Sequence, residues 1–70
     1  MTTKYPNSFY IEYNQNDQWY AISASVGNKS YTEGYLTALD GFYPHPQYRM
    51  IGKQGGIVKE LKSRAGIHLN

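Results

Sequence analysis

"GNKSYTEGYLTALDGF", residues 27–42, is where the chain changes its period, and that change decides the fold. Ser30 is followed three residues later by Glu33, the spacing of a capping box in which each side chain satisfies the other residue's backbone N–H. From there Tyr31, Tyr35, Ala38, Leu39 and Phe42 recur at helical spacing and form one apolar stripe. Gly34 costs such a helix up to about 1 kcal/mol relative to alanine, which points to a close backbone approach. The helix is expected to end near Gly41 or Phe42. Pro44 pushes Tyr43 out of the helical region, and Pro46 does the same to His45.

Before this stretch the period is two. In "SFYIEYN" (8–14), Phe9, Ile11 and Tyr13 alternate with Tyr10, Glu12 and Asn14. "QND" (15–17) supplies turn chemistry, since Asn and Asp tolerate left-handed backbone. "QWYAISASV" (18–26) alternates again, Tyr20, Ile22, Ala24 and Val26 against Trp19, Ala21, Ser23 and Ser25. Two such runs across a short polar link make an antiparallel hairpin. After the helix, "QYRMIG" (47–52) reads as a strand, "KQGG" as a glycine-bearing turn and "IVKEL" (57–61) as a fourth strand. The last segment has a helical alternative. In "IVKELKSRAG", Val58, Leu61 and Ala65 fall in line, Glu60 pairs with Arg64, and Gly66 caps.

The order is therefore ββαββ, an α+β fold with a four-stranded antiparallel sheet and one helix on one face. The stripe Tyr31–Tyr35–Leu39–Phe42 is expected to lie on the inward row of the sheet. The opposite face would leave Tyr10, Glu12, Trp19, Ser23 and Ser25 to water or a partner. Residues 1–7, with Pro6, read as a flexible lead-in, 8–61 as a single domain and 62–70 as a basic C-terminal tail.

A chain of 70 residues makes one domain at most. It buries only about 60% of the surface its unfolded form exposes, and such a core rarely supplies more than ~3–5 kcal/mol without a staple. With no cysteine, disulfides and thiolate zinc sites are excluded, and the redox compartment stays open. No apolar run approaches the ~20 residues of a membrane span, and no charged-then-apolar leader opens the chain. A cytoplasmic location is the expectation. Eight tyrosines, with Trp19, Phe9 and Phe42, are more aromatic surface than so small a core hides. Some of these rings belong to half-buried walls and others to a contact surface.

Charge is unevenly placed. Residues 1–46 hold Lys4 and Lys29 against Glu12, Asp17, Glu33 and Asp40, a negative balance. Residues 47–70 hold Arg49, Lys53, Lys59, Lys62 and Arg64 against Glu60, a positive one. Such asymmetry suits an anionic partner at the basic end, although a solvated face and a soluble tail explain it as well.

"DGFYPHPQYRM" (40–50) gathers Phe42, Tyr43 and Tyr48 around two prolines, with His45 between them and Arg49 beyond. A histidine suits proton transfer near neutral pH, but no serine or threonine motif frames this one as a catalytic pair. His45 and His68 are far apart in sequence, with no carboxylate at ligand spacing, so no metal site is expected. A rigid elbow fits better. Prolines reduce the ordering entropy of a contact, and the flanking aromatics supply area. Catalysis is not expected. The candidate partner-binding residues are Tyr10, Trp19, Tyr43, His45 and Arg49. In the nucleic-acid alternative, Lys53, Lys59, Lys62 and Arg64 track phosphates while Tyr10 and Trp19 offer stacking platforms. No RNA-recognition, KH or zinc-finger signature accompanies them. A third reading is a structural subunit that self-associates through its bare sheet face.

In its size, aromatic richness, lack of cysteine and ββαββ order, the chain resembles the small α+β accessory proteins of phages and mobile elements. These are host-takeover and anti-defence factors, anti-CRISPRs among them. The resemblance spans the whole chain, matches no family motif and carries over no functional residue. It implies stoichiometric binding and inhibition of a larger host protein in the host cytoplasm, as monomer or homodimer, without cofactor or membrane.

Overall fold

The computed structural model describes residues 4–44 and 47–61. Strands β1 (Phe9–Gln15) and β2 (Gln18–Gly27) form the first hairpin, and helix α1 (Lys29–Phe42) follows. Strands β3 (Gln47–Ile51) and β4 (Ile57–Leu61) form the second hairpin. All neighbours are antiparallel, in the order β2-β1-β3-β4, so the ββαββ reading holds. Asn16 and Asp17 both take positive φ, 55° and 64°. They join the facing pair Gln15 and Gln18 in the two-residue loop that matches strand twist. The second turn spans residues 52–55, the Gly55 N–H donating to the Gly52 carbonyl at 3.1 Å, with Gln54 and Gly55 at positive φ. Residues 57–61 are strand rather than helix; 62–65 of the helical alternative, like the tail to residue 70, lie outside the described residues.

The inward row of the sheet is the expected one. Register sets Ile11 opposite Ile22 and Met50, and Tyr13 opposite Tyr20 and Tyr48, so these side chains share a face. Ile11, Met50, Tyr48 and Leu36 form the buried cluster, with Phe9, Tyr13, Ile22, Tyr35, Leu39 and Leu61 packed around it.

The helix is rotated from the expected stripe. Thr32 and Leu36 are its buried residues. Tyr31 and Phe42, expected inside, are 50% and 79% exposed. The cause is a polar joint. The Thr32 hydroxyl donates to the Ser25 carbonyl at 2.8 Å and approaches the Phe9 carbonyl at 3.4 Å, which draws a threonine into the core. The cap is also different. Asn28, not Ser30, is the N-cap: its Oδ1 accepts from the Tyr31 N–H at 2.8 Å, and Ser30 sits exposed in the first turn. Asn caps as well as Ser does, and starting there lets Tyr31 clamp β2. Its hydroxyl donates to the Ala24 carbonyl at 2.7 Å. A Cβ at Gly27 would stand 2.7 Å from its ring, so only glycine admits that approach. Gly34 makes no close approach, and nothing in the structure explains it.

Strand β2 breaks its own alternation. Phe9 faces Gly27 while Ile11 faces Ile22, so β2 carries extra residues between them. Ser25, expected on the open face, is fully buried there. Its Oγ accepts from the Ile11 N–H at 2.7 Å and donates to the Ile22 carbonyl at 2.6 Å. The side chain thus takes over a ladder bond that the irregular backbone cannot make. A smaller bulge interrupts β3–β4, where Met50 faces Lys59 but Ile51 faces Ile57. Val58 is the extra residue and packs on Gly52, where a Cβ would stand 2.7 Å from it.

Candidate functional site: an aromatic helix flank

The open sheet face is not bare. Tyr10 lies on it but is only 3% exposed. The Tyr5 ring meets it edge-on, centroids 5.0 Å apart. Tyr5 and Pro6, within the stretch expected as a flexible lead-in, are tied down: the Ser8 N–H donates to the Tyr5 carbonyl at 3.2 Å and the Gln54 N–H to the Pro6 carbonyl at 3.1 Å. Tyr10 is therefore an internal residue, and the expectation that it anchors a partner is corrected.

Trp19 and Arg49 are brought together, but onto each other. The guanidinium carbon of Arg49 stands 3.9 Å from the Trp19 ring centroid. Arg49 Nε donates to Glu12 Oε1 at 2.7 Å, within an ion pair that register sets directly opposite. A half-buried indole with a guanidinium on its face is not an open stacking platform. Of the remaining predicted residues, Tyr43 is 64% exposed, Lys53 and Lys59 are exposed, and His45, Lys62 and Arg64 lie outside the described residues.

The exposed aromatic surface is elsewhere. Tyr31, Ala38 and Phe42, at i, i+7 and i+11, share one exposed flank of α1. They are the outward half of the stripe visible in the sequence, whose other members, Tyr35 and Leu39, pack against the core. Tyr31 fixes the flank against β2 through Ala24 and Gly27. At the other end Phe42 stands largely in solvent, and Tyr43 follows as C-cap, its N–H donating to the Leu39 carbonyl. The Tyr43 carbonyl accepts from the Tyr48 hydroxyl at 2.7 Å, which ties the elbow to β3. Burial first, then the Asp40 carboxylate and the Tyr43 phenol, raise the Tyr48 phenol above the usual tyrosine range. Beneath this end, Tyr20, Tyr13 and Tyr48 make one row across β2, β1 and β3, with Tyr13 and Tyr20 centroids 5.5 Å apart. Tyr20 is the exposed member of the row.

Tyr20, Tyr31 and Phe42 were missed as surface residues because their ring chemistry reads as core. The signal that places them outside is the competing stripe Thr32–Tyr35–Leu36–Leu39, at i, i+3, i+4 and i+7. It requires treating a threonine as a buried position.

Among the described residues no three histidine, cysteine or acidic side chains gather as a metal site. No helix among them is long and apolar enough to cross a membrane. No protein-family model matches the chain, and neither a curated protein nor a solved structure matches it.

Proposed function

We propose that this protein is a non-enzymatic binding module that engages a larger protein through the flank and end of α1. The observation that carries the reading is the run of exposed rings at one end of the molecule: Phe42, Tyr43 and Tyr20, with Tyr31 further along the flank. A folded chain this small does not leave four large rings exposed, three of them half or more in water, without cost, and rigid aromatics are the enriched anchors of protein interfaces. The resemblance to phage and mobile-element accessory proteins makes a host protein in the host cytoplasm the target and inhibition the outcome, with no cofactor. The nucleic-acid reading has less support, since the stacking platforms it needs, Tyr10 and Trp19, are occupied by Tyr5 and Arg49.

The test is capture from host lysate with and without nuclease, followed by titration of the recovered partner. A protein that survives nuclease and loses about 30-fold or more in affinity on Phe42→Ser or Tyr43→Ser supports the reading, as expected for anchors worth ~2 kcal/mol or more. Binding that is lost on Lys53→Ala and Lys59→Ala and falls steeply with salt overturns it.

A further inference from the structure

The two edges of the sheet are built differently. β4 carries a bulge at Val58 and exposed Lys59 and Glu60, devices that discourage edge-to-edge pairing. β2, the other edge, has no charged residue from Gln18 to Gly27. Its first half, Gln18–Ile22, is in unbroken register with β1, and among the described residues nothing pairs with its outer side. Five regular residues are an ordinary strand length. An edge that pairs with its own copy meets every charge it carries a second time across the two-fold axis, so a charge-free edge is the one that can self-pair.

We propose that two copies associate antiparallel through the outer edge of β2 at Gln18–Ile22, making one continuous eight-stranded sheet. The helix-side residues of that segment are Tyr20 and Ile22, so the pairing sets the exposed Tyr20 of one copy beside the same row in its partner. Both helices then lie on the same face. α1 packs across β2, β1 and β3, with β1 in the middle. Helices centred over the two β1 strands stand about three strand spacings apart, ~14 Å. Direct helix packing needs about 8–10 Å, so the helices do not close on each other. What remains between them is a trough with Tyr20 and Ile22 on its floor and the Tyr31–Ala38–Phe42 flank of each copy as a wall. This deepens the function proposed above and rests on it in one respect: the partner's contact surface is completed by the second copy.

The decisive measurement is molar mass by light scattering and sedimentation across a concentration series of the full chain. Wild type is expected at twice the chain mass at high concentration. The Gln18→Lys, Tyr20→Lys double variant places charge inside the paired segment, with position 20 facing its own copy, and is expected to fall to the single chain mass at the same concentration. Both positions are exposed, so its circular dichroism should match wild type. A wild type that stays monomeric throughout overturns the proposal, as does a double variant that stays dimeric. The two readings fail separately. A monomeric wild type whose Phe42→Ser variant still loses its partner sinks the dimer alone. A dimer whose partner binding ignores Phe42 and Tyr43 sinks the binding surface alone.

Discussion

The two faces of the sheet are closed by different means. On the helix side, Ile11, Met50, Tyr48 and Leu36 exclude water by packing, and burial of apolar area is the force. On the other side no helix is present among the described residues, and closure is piecemeal. Tyr5 covers Tyr10, and Glu12, Arg49 and Trp19 cover one another. The first face follows a rule that repeats along each strand. The second depends on single contacts between residues far apart in sequence. A face without a helix is thus not a free face, and the exposed rings of this protein are on the helix itself.

The comparison is tested first where the effect is largest. Ile11→Ala and Leu36→Ala each remove a fully buried aliphatic side chain and should cost ~2–5 kcal/mol. In a domain this small that is most of the stability, so denaturant titration should show a partly or wholly unfolded population. Leu39→Ala, at a half-buried position, should cost less. Losses below about 1 kcal/mol for both Ile11 and Leu36 would place the core elsewhere. The polar joint comes next. Ser25→Ala strands the Ile11 N–H inside the protein and should cost about 1–3 kcal/mol. Ser30→Ala, on the exposed first turn, should stay within about 0.5 kcal/mol, whereas Asn28→Ala should cost about 1 kcal/mol as a lost cap. Thermal melts of the three variants in parallel check this order, and equal losses at Ser25 and Ser30 would remove the joint from the account.

The same pairs show how much the sequence reveals. The hairpins, the helix span and the row Phe9–Ile11–Tyr13–Ile22 are legible because they rest on local periodicity and turn chemistry. Ser25 is not. Extra residues in β2 shift the alternation by which its face is counted, and a count of twos cannot see a bulge. The helix is legible as a helix but not in its rotation, because Tyr31 and Phe42 read as more apolar than Thr32. Only the carbonyls of Ser25 and Phe9 make Thr32 a core residue. Tyr10 escapes for a third reason: its cover, Tyr5, comes from a stretch with no periodicity. The candidate site was half legible. The stripe was visible and Tyr43 correctly placed outside, but the open-face anchors were assigned to residues that the fold uses internally.

On the open face the expected effects are smaller. Tyr5→Ala removes the ring that closes Tyr10 and should cost about 0.5–1.5 kcal/mol, the scale of an aromatic pair. Hydrogen exchange checks it locally. The Gln54 N–H, bonded to Pro6, should exchange faster, while the N–H of Ile11 should not change beyond the global loss. If exchange at Gln54 is unaffected, Tyr5 does not hold the lead-in against the sheet.

The smallest stability effect belongs to Arg49, and a different readout makes it decisive. Arg49→Ala removes a half-buried ion pair and a guanidinium–indole contact, each worth about 1 kcal/mol or less where water can reach. Melting should therefore move little. Trp19 is the only tryptophan, so its fluorescence reports this one place. With the guanidinium gone, one face of the indole opens, and acrylamide quenching should increase. Glu12→Gln should give a weaker version of the same change, because it frees Arg49 from its carboxylate without removing it. Added salt should act in the same direction, since screening at 1 M reaches in to about 3 Å. Tyr5→Ala should leave the quenching of Trp19 unchanged if the open face is closed piece by piece. If Tyr5→Ala exposes Trp19 as much as Arg49→Ala does, the open face is one cooperative layer after all, and the contrast between the two faces fails.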